Sequence, residues 1–372
     1  MDKEKKPASI RHRRWIVIIS LAVFLIGIWQ LFAGHYGEEE KEVRRHIRET
    51  VKKTFPEQTA KFSTTFGLSF VEVDGTGSRP MSLARNTVVL IHGLDDPGKV
   101  WRSLAPVLVE EDYNVYKLAY PNDQPVVESA RFFFGELKKL KQLGIDRIFI
   151  VGHSMGGLVS REMLTRPDIG YEAAARNGMV PGVASLIMVG TPNHGSQMAR
   201  FRVFSEMRDQ LGRIAKGEST WLGGILDGAG EAKIDLLPES RFLTELNARP
   251  HPEGLDMLVI AGITSPWNET DINGWISSLR QKLPEDLHGR VDELSENMIA
   301  MTHGLGDGLV TVDSARLEGV PLRTVDGTHL SIIRNITKDS RRIPPAVPII
   351  LSQIKSFDDF MKRDDVAHGV NE

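Results

Sequence analysis

The sequence predicts an α/β fold in which a mostly parallel sheet is covered by helices on both faces. Short apolar stretches typical of buried strands, at 87–91, 148–151 and 183–189, alternate with segments of helical periodicity such as 126–143. This alternation indicates parallel strands, because each crossover between two parallel strands requires a connection that is usually a helix. A second observation is the stretch 147–161, where an apolar strand, a Gly-rich turn and a helical pattern follow one another.

The turn at residues 152–156 reads G-H-S-M-G and fits G-x-S-x-G. Between a strand and a helix this motif is a nucleophile elbow, whose strained turn needs small neighbours such as Gly152 and Gly156. The motif therefore predicts that the Ser154 hydroxyl is exposed at the carboxyl edge of the sheet. The N-terminus of the following helix would favour a developing negative charge there. The alternative is a Gly-rich turn with an incidental serine.

Composition excludes several classes of function. The chain has 372 residues, a formal net charge of −3 and no cysteine. We therefore expect no nucleic-acid partner, no disulfide framework and no thiolate metal site. The sequence contains neither H-E-x-x-H nor a phosphate-binding loop, and its acidic residues are dispersed, so we expect neither a metal nor a cofactor.

The N-terminal region predicts a membrane anchor. Residues 1–14 are basic, and residues 15–33 form a charge-free apolar run with tryptophans near both ends. A helix of this length spans roughly 28 Å, close to the hydrocarbon thickness of a bilayer. We therefore expect the lipid bilayer to be a partner through residues 15–33. The alternative, a cleaved signal peptide, usually has a shorter apolar core and a better cleavage site.

The orientation of this anchor follows from the nearest basic residues. Arg13 and Arg14 adjoin the apolar run, whereas residues 34–40 contain no Lys or Arg. Basic residues favour the cytoplasmic side, so we expect a single-pass protein with a cytoplasmic N-terminus and an exported body.

We expect one large domain behind the anchor. The apolar, Gly-containing stretch 219–226 lies in a region without strand–helix alternation, which is typical of a cap or lid, although ordinary cap core is the alternative. The predicted segments after the anchor are an amphipathic stalk at 34–62, an α/β domain at 63–362 with a cap insertion at about 197–254, and a C-terminal tail at 363–372.

Residues 92–94 are candidates for the oxyanion hole. The strand at 87–91 ends in His92 and Gly93, as early strands in folds with a nucleophile elbow commonly do. We expect the backbone N–H groups of Leu94 and Met155 to hold the oxyanion. His92 itself has a structural alternative, as a histidine bonded to loop backbone.

A serine nucleophile requires a base and an acid that orients the base. In folds with a nucleophile elbow, the order along the chain is serine, acid, histidine. This order favours His329, on a loop after the last predicted strand, and Asp307, in a Gly-rich loop. Asp313 and Asp326 are the alternative acids: the first could cap a following segment, and the second could shape the turn before His329.

The other histidines and one asparagine near these loops are not favoured as members of the triad. His303 precedes the acid loop and His368 lies in the tail, so neither is favoured as the base. Four residues on the loops at the predicted site edge are candidate pocket or structural residues: His92, His153, Asn193 and His194.

Taken together, these motifs resemble a known family, the α/β-hydrolase lipases and esterases of the bacterial triacylglycerol-lipase type. The resemblance depends on V-V-L-I-H-G-L at 88–94, I-V-G-H-S-M-G-G-L at 150–158, V-G-T-P-N-H-G-S at 189–196, G-D-G-L-V-T-V-D-S-A at 306–315 and G-T-H-L at 327–330. It implies that Ser154, Asp307 and His329 form a catalytic triad, with Leu94 and Met155 as oxyanion donors. The implied substrate is an acyl ester, and the apolar cap and anchor favour a lipid-like one. An acyltransferase and a non-catalytic scaffold are the alternatives.

Overall fold

The computed structural model describes residues 66–368 except 73–79, 95, 97, 123, 197–230, 267, 283–284, 286–287 and 338–339, together with seven helical positions between 41 and 53. The predicted segments 1–14 and 15–33, most of the stalk and the first part of the cap lie outside the described residues. None of the helices in the described part of the chain is long and apolar enough to cross a membrane.

The core of the described chain is a seven-stranded sheet with the order β1-β3-β2-β4-β5-β6-β7. Its strands are β1 (Gly67–Phe70), β2 (Thr87–Ile91), β3 (Asn114–Ala119), β4 (Arg147–His153), β5 (Gly182–Val189), β6 (Asp256–Gly262) and β7 (Leu322–Val325). Six strands pair in parallel, and β1 pairs antiparallel with β3 at one edge. The predicted mostly parallel sheet is therefore confirmed.

The central strand β2 is buried along its whole length because helices cover both faces of the sheet. Val88 and Leu90 of β2 pack on one face, and the alternate residues Val89 and Ile91 pack on the other. All four side chains are fully buried. Doubly covered parallel sheets show this uninterrupted apolar pattern, which the sequence displays.

Ten α-helices are described besides the N-terminal positions. They are α1 (Leu104–Glu110), α2 (Val126–Gln142), α3 (Met155–Thr165), α4 (Tyr171–Arg176), α5 (Glu231–Asp235), α6 (Arg241–Asn247), α7 (Glu269–Lys282), α8 (His288–Ala300), α9 (Val312–Ala315) and α10 (Ala346–His368). Helices α2 and α3 pack on the sheet face that contains Val89, whereas α1 and α10 pack on the opposite face.

One insertion follows β5, and a second insertion follows β6. The described part of the cap contains α5 and α6, and Asp235 at the end of α5 forms an ion pair with Lys41 of the N-terminal helical positions. Helices α7 and α8 form a hairpin with its own small apolar core, and a π-helical turn at Met301–Leu305 leads from it to the loop of Asp307. The last helix, α10, extends to His368, so residues 363–368 of the predicted tail are helical.

Gly156 allows the helix after the elbow to lie directly against β2. A Cβ atom added at Gly156 would lie 2.0 Å from the carbonyl oxygen of Ile91 and 2.8 Å from that of His92. We expect Gly156→Ala to lower the free energy of unfolding by about 3 kcal/mol or more, because backbone atoms cannot move aside as side chains can. Urea denaturation measures this loss.

Gly135 provides a matched control for this substitution. It lies within helix α2, and an added Cβ would meet nothing within 4 Å. Alanine there should raise stability by about 0.5–1 kcal/mol, since glycine is a poor helix former. If both variants were equally stable, close approach of α3 to β2 would not be the reason for glycine at position 156.

Candidate active site

Ser154 lies at the turn between β4 and α3, with φ 55° and ψ −127°. A positive φ is unusual for a residue with a side chain and costs energy that the surrounding structure must offset. Gly152 lies directly against the N-terminus of α3, where an added Cβ would be 2.6 Å from the backbone nitrogen of Gly157. The predicted strand, strained turn and helix are therefore present around Ser154.

The loop after β2 runs alongside the elbow. A Cβ at Gly93 would lie 2.6 Å from Ser154 Cβ and 3.1 Å from Ser154 Oγ, so only glycine allows this approach. Leu94 follows Gly93 directly, and Met155 is the first residue of α3, where backbone N–H groups have no partner within the helix. The structure thus places Gly93, the residue before Leu94, against the side chain of Ser154, and Met155 directly after it.

His329 and Asp307 form a buried pair. Asp307 is 1% exposed and His329 is 6% exposed. Because the carboxylate can only accept, His329 Nδ1–H donates to Asp307 Oδ2 at 2.8 Å, which leaves the Nε2 lone pair free to accept a proton. The other oxygen, Asp307 Oδ1, accepts from the backbone N–H groups of Leu309 and Val310 at 2.9 and 2.8 Å.

Of the three acids considered from the sequence, Asp307 is the one that the structure brings to His329. Asp313 and Asp326 are both exposed. The cap of α9 is Thr311, whose hydroxyl accepts from the N–H of Ser314, so Asp313 does not have that role.

Gly190, at the end of β5, connects this pair to the elbow. It has φ 58°, and an added Cβ would lie 3.2 Å from His329 Nδ1 and 3.3 Å from Asp307 Oδ2. The preceding residue, Val189, accepts a hydrogen bond from the backbone N–H of Ser154 at 2.8 Å. Serine and histidine therefore both adjoin the end of β5. In the described part of the chain, Ser154 Oγ makes no direct hydrogen bond, and such bonds often form only in the substrate complex.

Three of the four candidate pocket residues are buried and bonded within the fold. His92 Nδ1 lies 2.7 Å from the carbonyl oxygen of Gly93, and His153 Nε2 lies 2.9 Å from that of His329. Asn193 donates to the carbonyl of Ala315 at 2.7 Å. These contacts favour structural roles. His194 is exposed on the same loop as Asn193.

Two residues that support this edge of the sheet were not predicted. Tyr120, directly after β3, donates its hydroxyl to the carbonyl of His92 at 2.6 Å, which ties the loop after β2 to the end of β3. Arg161 donates to Asn193 at 3.0 Å and is 3% exposed; burial lowers the pKa of Arg161 to about 10. Both contacts join distant parts of the chain, and no local sequence motif predicts them.

Burial lowers the pKa of both His92 and His153. For His153 the shift is large: desolvation is the main cause, and electrostatic repulsion of the imidazolium form by the neighbouring His329, Arg334 and His92 adds to it. Both imidazoles are thus neutral in the folded protein at a pH where the unfolded chain would protonate them. The unfolded state then binds more protons, so stability must rise with pH in that range.

We therefore expect the free energy of unfolding to fall as the pH drops below about 6.5, the ordinary histidine pKa. Urea denaturation at intervals between pH 8 and pH 5 measures the decline. His153→Gln, which removes one of the two titrating groups, should make the decline shallower than in the wild-type protein. An unchanged slope in that variant would mean that His153 does not contribute.

Fold and site together define the class. A mostly parallel seven-stranded sheet, a G-x-S-x-G elbow after its fourth strand and a His–Asp pair on later loops are features of the α/β-hydrolase fold. In agreement, residues 135–283 match the family described as a PGAP1-like alpha/beta domain. The matched range is less than half of the chain and includes Ser154, but neither Asp307 nor His329.

Similar solved structures come from several bacteria. The mature lipase BlEst2 of Bacillus licheniformis is 19% identical, with 72% of this chain and 92% of that chain covered and a TM-score of 0.46. Phospholipase PlaB of Legionella pneumophila is 17% identical, with 76% and 65% covered and a TM-score of 0.47. An alpha/beta hydrolase fold protein of Burkholderia ambifaria is 16% identical, with 77% and 93% covered and a TM-score of 0.40. No curated protein sequence matches the chain.

Among the described residues, no three side chains of His, Asp or Glu are arranged to hold a metal ion.

Proposed function

We propose that this protein is a serine hydrolase that cleaves carboxylic esters through an acyl-enzyme intermediate. The observation that carries the proposal is the buried hydrogen bond of 2.8 Å between His329 and Asp307. This pair lies beside Gly190 at the end of β5, and the carbonyl of Val189 at the same strand end accepts the backbone N–H of Ser154. A strained serine, a histidine with a free Nε2 and a carboxylate on its Nδ1 are the parts that nucleophilic catalysis by serine requires.

The reaction follows from this geometry. Ser154 Oγ attacks the ester carbonyl carbon while His329 Nε2 accepts the hydroxyl proton. The carbonyl oxygen becomes an oxyanion held by the N–H groups of Leu94 and Met155. His329 then gives the proton to the leaving alcohol, and an acyl-Ser154 ester remains. Water, deprotonated by His329, releases the acid and restores the enzyme.

Asp307 holds His329 in the tautomer that leaves Nε2 unprotonated, and its negative charge stabilises the imidazolium that forms during each proton transfer. Its own position is set by two backbone N–H groups and by its burial. The acid is therefore fixed before substrate binds, which is the condition for electrostatic stabilisation without reorganisation.

For the substrate we propose a lipid-like ester, and for the N-terminus a single-pass anchor at 15–33 with the catalytic domain on the exported side. The support is the apolar sequence of both the anchor and the stretch 219–226 of the cap. Resistance of the full chain to alkaline extraction from membranes, and its digestion by external protease in spheroplasts, would test this placement. Release from membranes at alkaline pH would contradict it.

The activity is tested with p-nitrophenyl esters from acetate to palmitate and with a fluorophosphonate probe whose adduct is located by peptide mass spectrometry. We expect labelling at Ser154 and turnover that is fastest for the longer acyl chains. A folded protein with neither labelling nor turnover would contradict the proposal. Labelling without turnover of any ester would contradict hydrolysis and indicate transfer to an alcohol acceptor.

A further inference from the structure

Three atoms of His329 form hydrogen bonds to other parts of the chain: a side-chain nitrogen, the backbone nitrogen and the carbonyl oxygen. The side chain donates to Asp307 Oδ2 at 2.8 Å, and the backbone N–H of His329 donates to the carbonyl oxygen of Asp307 at 2.9 Å. These two bonds tie the histidine to the acid loop. The third atom is the carbonyl oxygen of His329, which accepts from His153 Nε2 at 2.9 Å.

The turn after His329 does not use this carbonyl oxygen. In a helical turn it would accept an N–H from three or four residues further along the chain. Here the N–H of Ile332 goes to the carbonyl of Thr328 at 3.1 Å, and that of Ile333 goes to Leu330 at 3.2 Å. Among the described residues, the donor to the His329 carbonyl is therefore the His153 side chain.

His153 is the last residue of β4 and the direct neighbour of Ser154. Its ring is 2% exposed, lies 4.8 Å from the ring of His329 between centroids, and is packed edge-on by Trp101. The bond thus joins the residue that precedes the nucleophile to the residue that carries the base. A displacement of either loop would stretch it.

We propose that His153 is a positioning residue, whose neutral, Nε2-protonated imidazole holds the His329 backbone so that the base stays at a fixed distance from Ser154. This inference rests on the proposed function, because it assigns His329 the role of base. A carbonyl oxygen only accepts, so the bond requires a proton on His153 Nε2.

For the proposed role, the His153 side chain must be uncharged as well as hydrogen-bonded to the His329 carbonyl. His329 becomes positively charged in each proton transfer, and a second charge at 4.8 Å would oppose this step. Burial is the main reason that the pKa of His153 lies well below its ordinary value. An uncharged donor therefore occupies a place where a lysine or arginine donor would slow the reaction.

Two substitutions separate the hydrogen bond from the packing. His153→Phe keeps a ring between Trp101 and His329 but removes the donor. His153→Gln keeps an N–H near the position of Nε2 and is also uncharged. His251→Phe is the matched control, since His251 Nε2 likewise lies 3.1 Å from a backbone carbonyl, that of Glu318, away from the site.

The rate constant of fluorophosphonate labelling at Ser154 reports the relative position of the serine and the base. It is normalised to the folded fraction of each variant, which circular dichroism measures. We expect His153→Phe to be slower by about tenfold or more, because small displacements of reacting groups are costly. His153→Gln should remain within about threefold of the wild-type rate, and His251→Phe should match it. With an ester substrate, the loss in the Phe variant should appear in kcat rather than in KM.

Two outcomes would overturn this inference: a wild-type labelling rate in His153→Phe, or a rate in His153→Gln as slow as in the Phe variant. If even the wild-type protein is not labelled, the proposed function fails first. The proton of the His329–Asp307 bond can then be followed by NMR. Its resonance should shift or broaden in His153→Phe but not in His153→Gln, and an unchanged resonance in the Phe variant would again overturn the inference.

Discussion

Ester turnover by Ser154→Ala is expected to be lower than that of the wild-type protein by roughly 10⁶-fold, the loss typical of removing a serine nucleophile. Alanine retains the strained φ of 55° and the glycine contacts of the elbow, so the fold should be unaffected. The loss should appear in kcat, because the substrate can still bind while the acyl-enzyme cannot form. Initial rates with the best p-nitrophenyl ester measure it.

The control for this variant is Ser160→Ala. Ser160 lies on α3, the helix that follows Ser154, is fully buried and donates its hydroxyl to the carbonyl of Gly156 at 2.7 Å. Its replacement should leave turnover within about threefold of the wild-type value, since losing one local hydrogen bond costs only about 1 kcal/mol of stability. Turnover by Ser154→Ala at more than a few per cent of the wild-type rate would mean that another group is the nucleophile.

Asp307→Asn is expected to lower kcat by roughly 10⁴-fold, the loss typical of an amide in place of the triad carboxylate. The carboxylate accepts three hydrogen bonds, one from His329 Nδ1 and two from backbone N–H groups. An amide has one acceptor oxygen. If that oxygen faces the backbone, the amide N–H₂ group faces His329 and forces the proton onto Nε2. His329 in that tautomer cannot accept the proton of Ser154.

Asp313→Asn and Asp326→Asn are the matched controls, because both residues were alternative acids from the sequence and both are exposed. Their kcat values should remain within about threefold of the wild-type value, as for most surface substitutions away from a site. The three variants are compared by kcat and by circular dichroism. A full rate in Asp307→Asn, or a large loss in either control, would assign the acid to a different residue.

Local sequence patterns were sufficient to predict the sheet and the elbow. Residues 87–91 form a strand with the predicted bounds, and the strand at β4 contains the predicted apolar run. A buried parallel strand needs apolar side chains on both faces, and a strained turn needs small neighbours. Each requirement acts within a few residues, so each leaves a readable pattern.

The loops at the carboxyl edge of the sheet were also predictable, because parallel strands that end at one edge bring their following loops together. This rule places Leu94, Ser154 and the loop of His329 at the same edge. The choice of Asp307 over Asp313 and Asp326 from sequence depended on the character of its loop. The structure adds the geometric reason: only Asp307, among these acids, is bonded to His329.

Other features were decided by tertiary structure alone. Nothing near His153 in the chain indicates that its ring reaches the carbonyl of His329, 176 positions later. Likewise, the His329–Asp307 pair lies against Gly190, whose φ of 58° favours glycine, and the buried Arg161 donates to Asn193. The sequence by itself determined the strands, the elbow and the edge at which the site lies, since these depend on patterns between near neighbours. The packing of distant side chains determined which polar groups meet, because hydrogen bonds form between atoms that are close in space, whatever their separation along the chain.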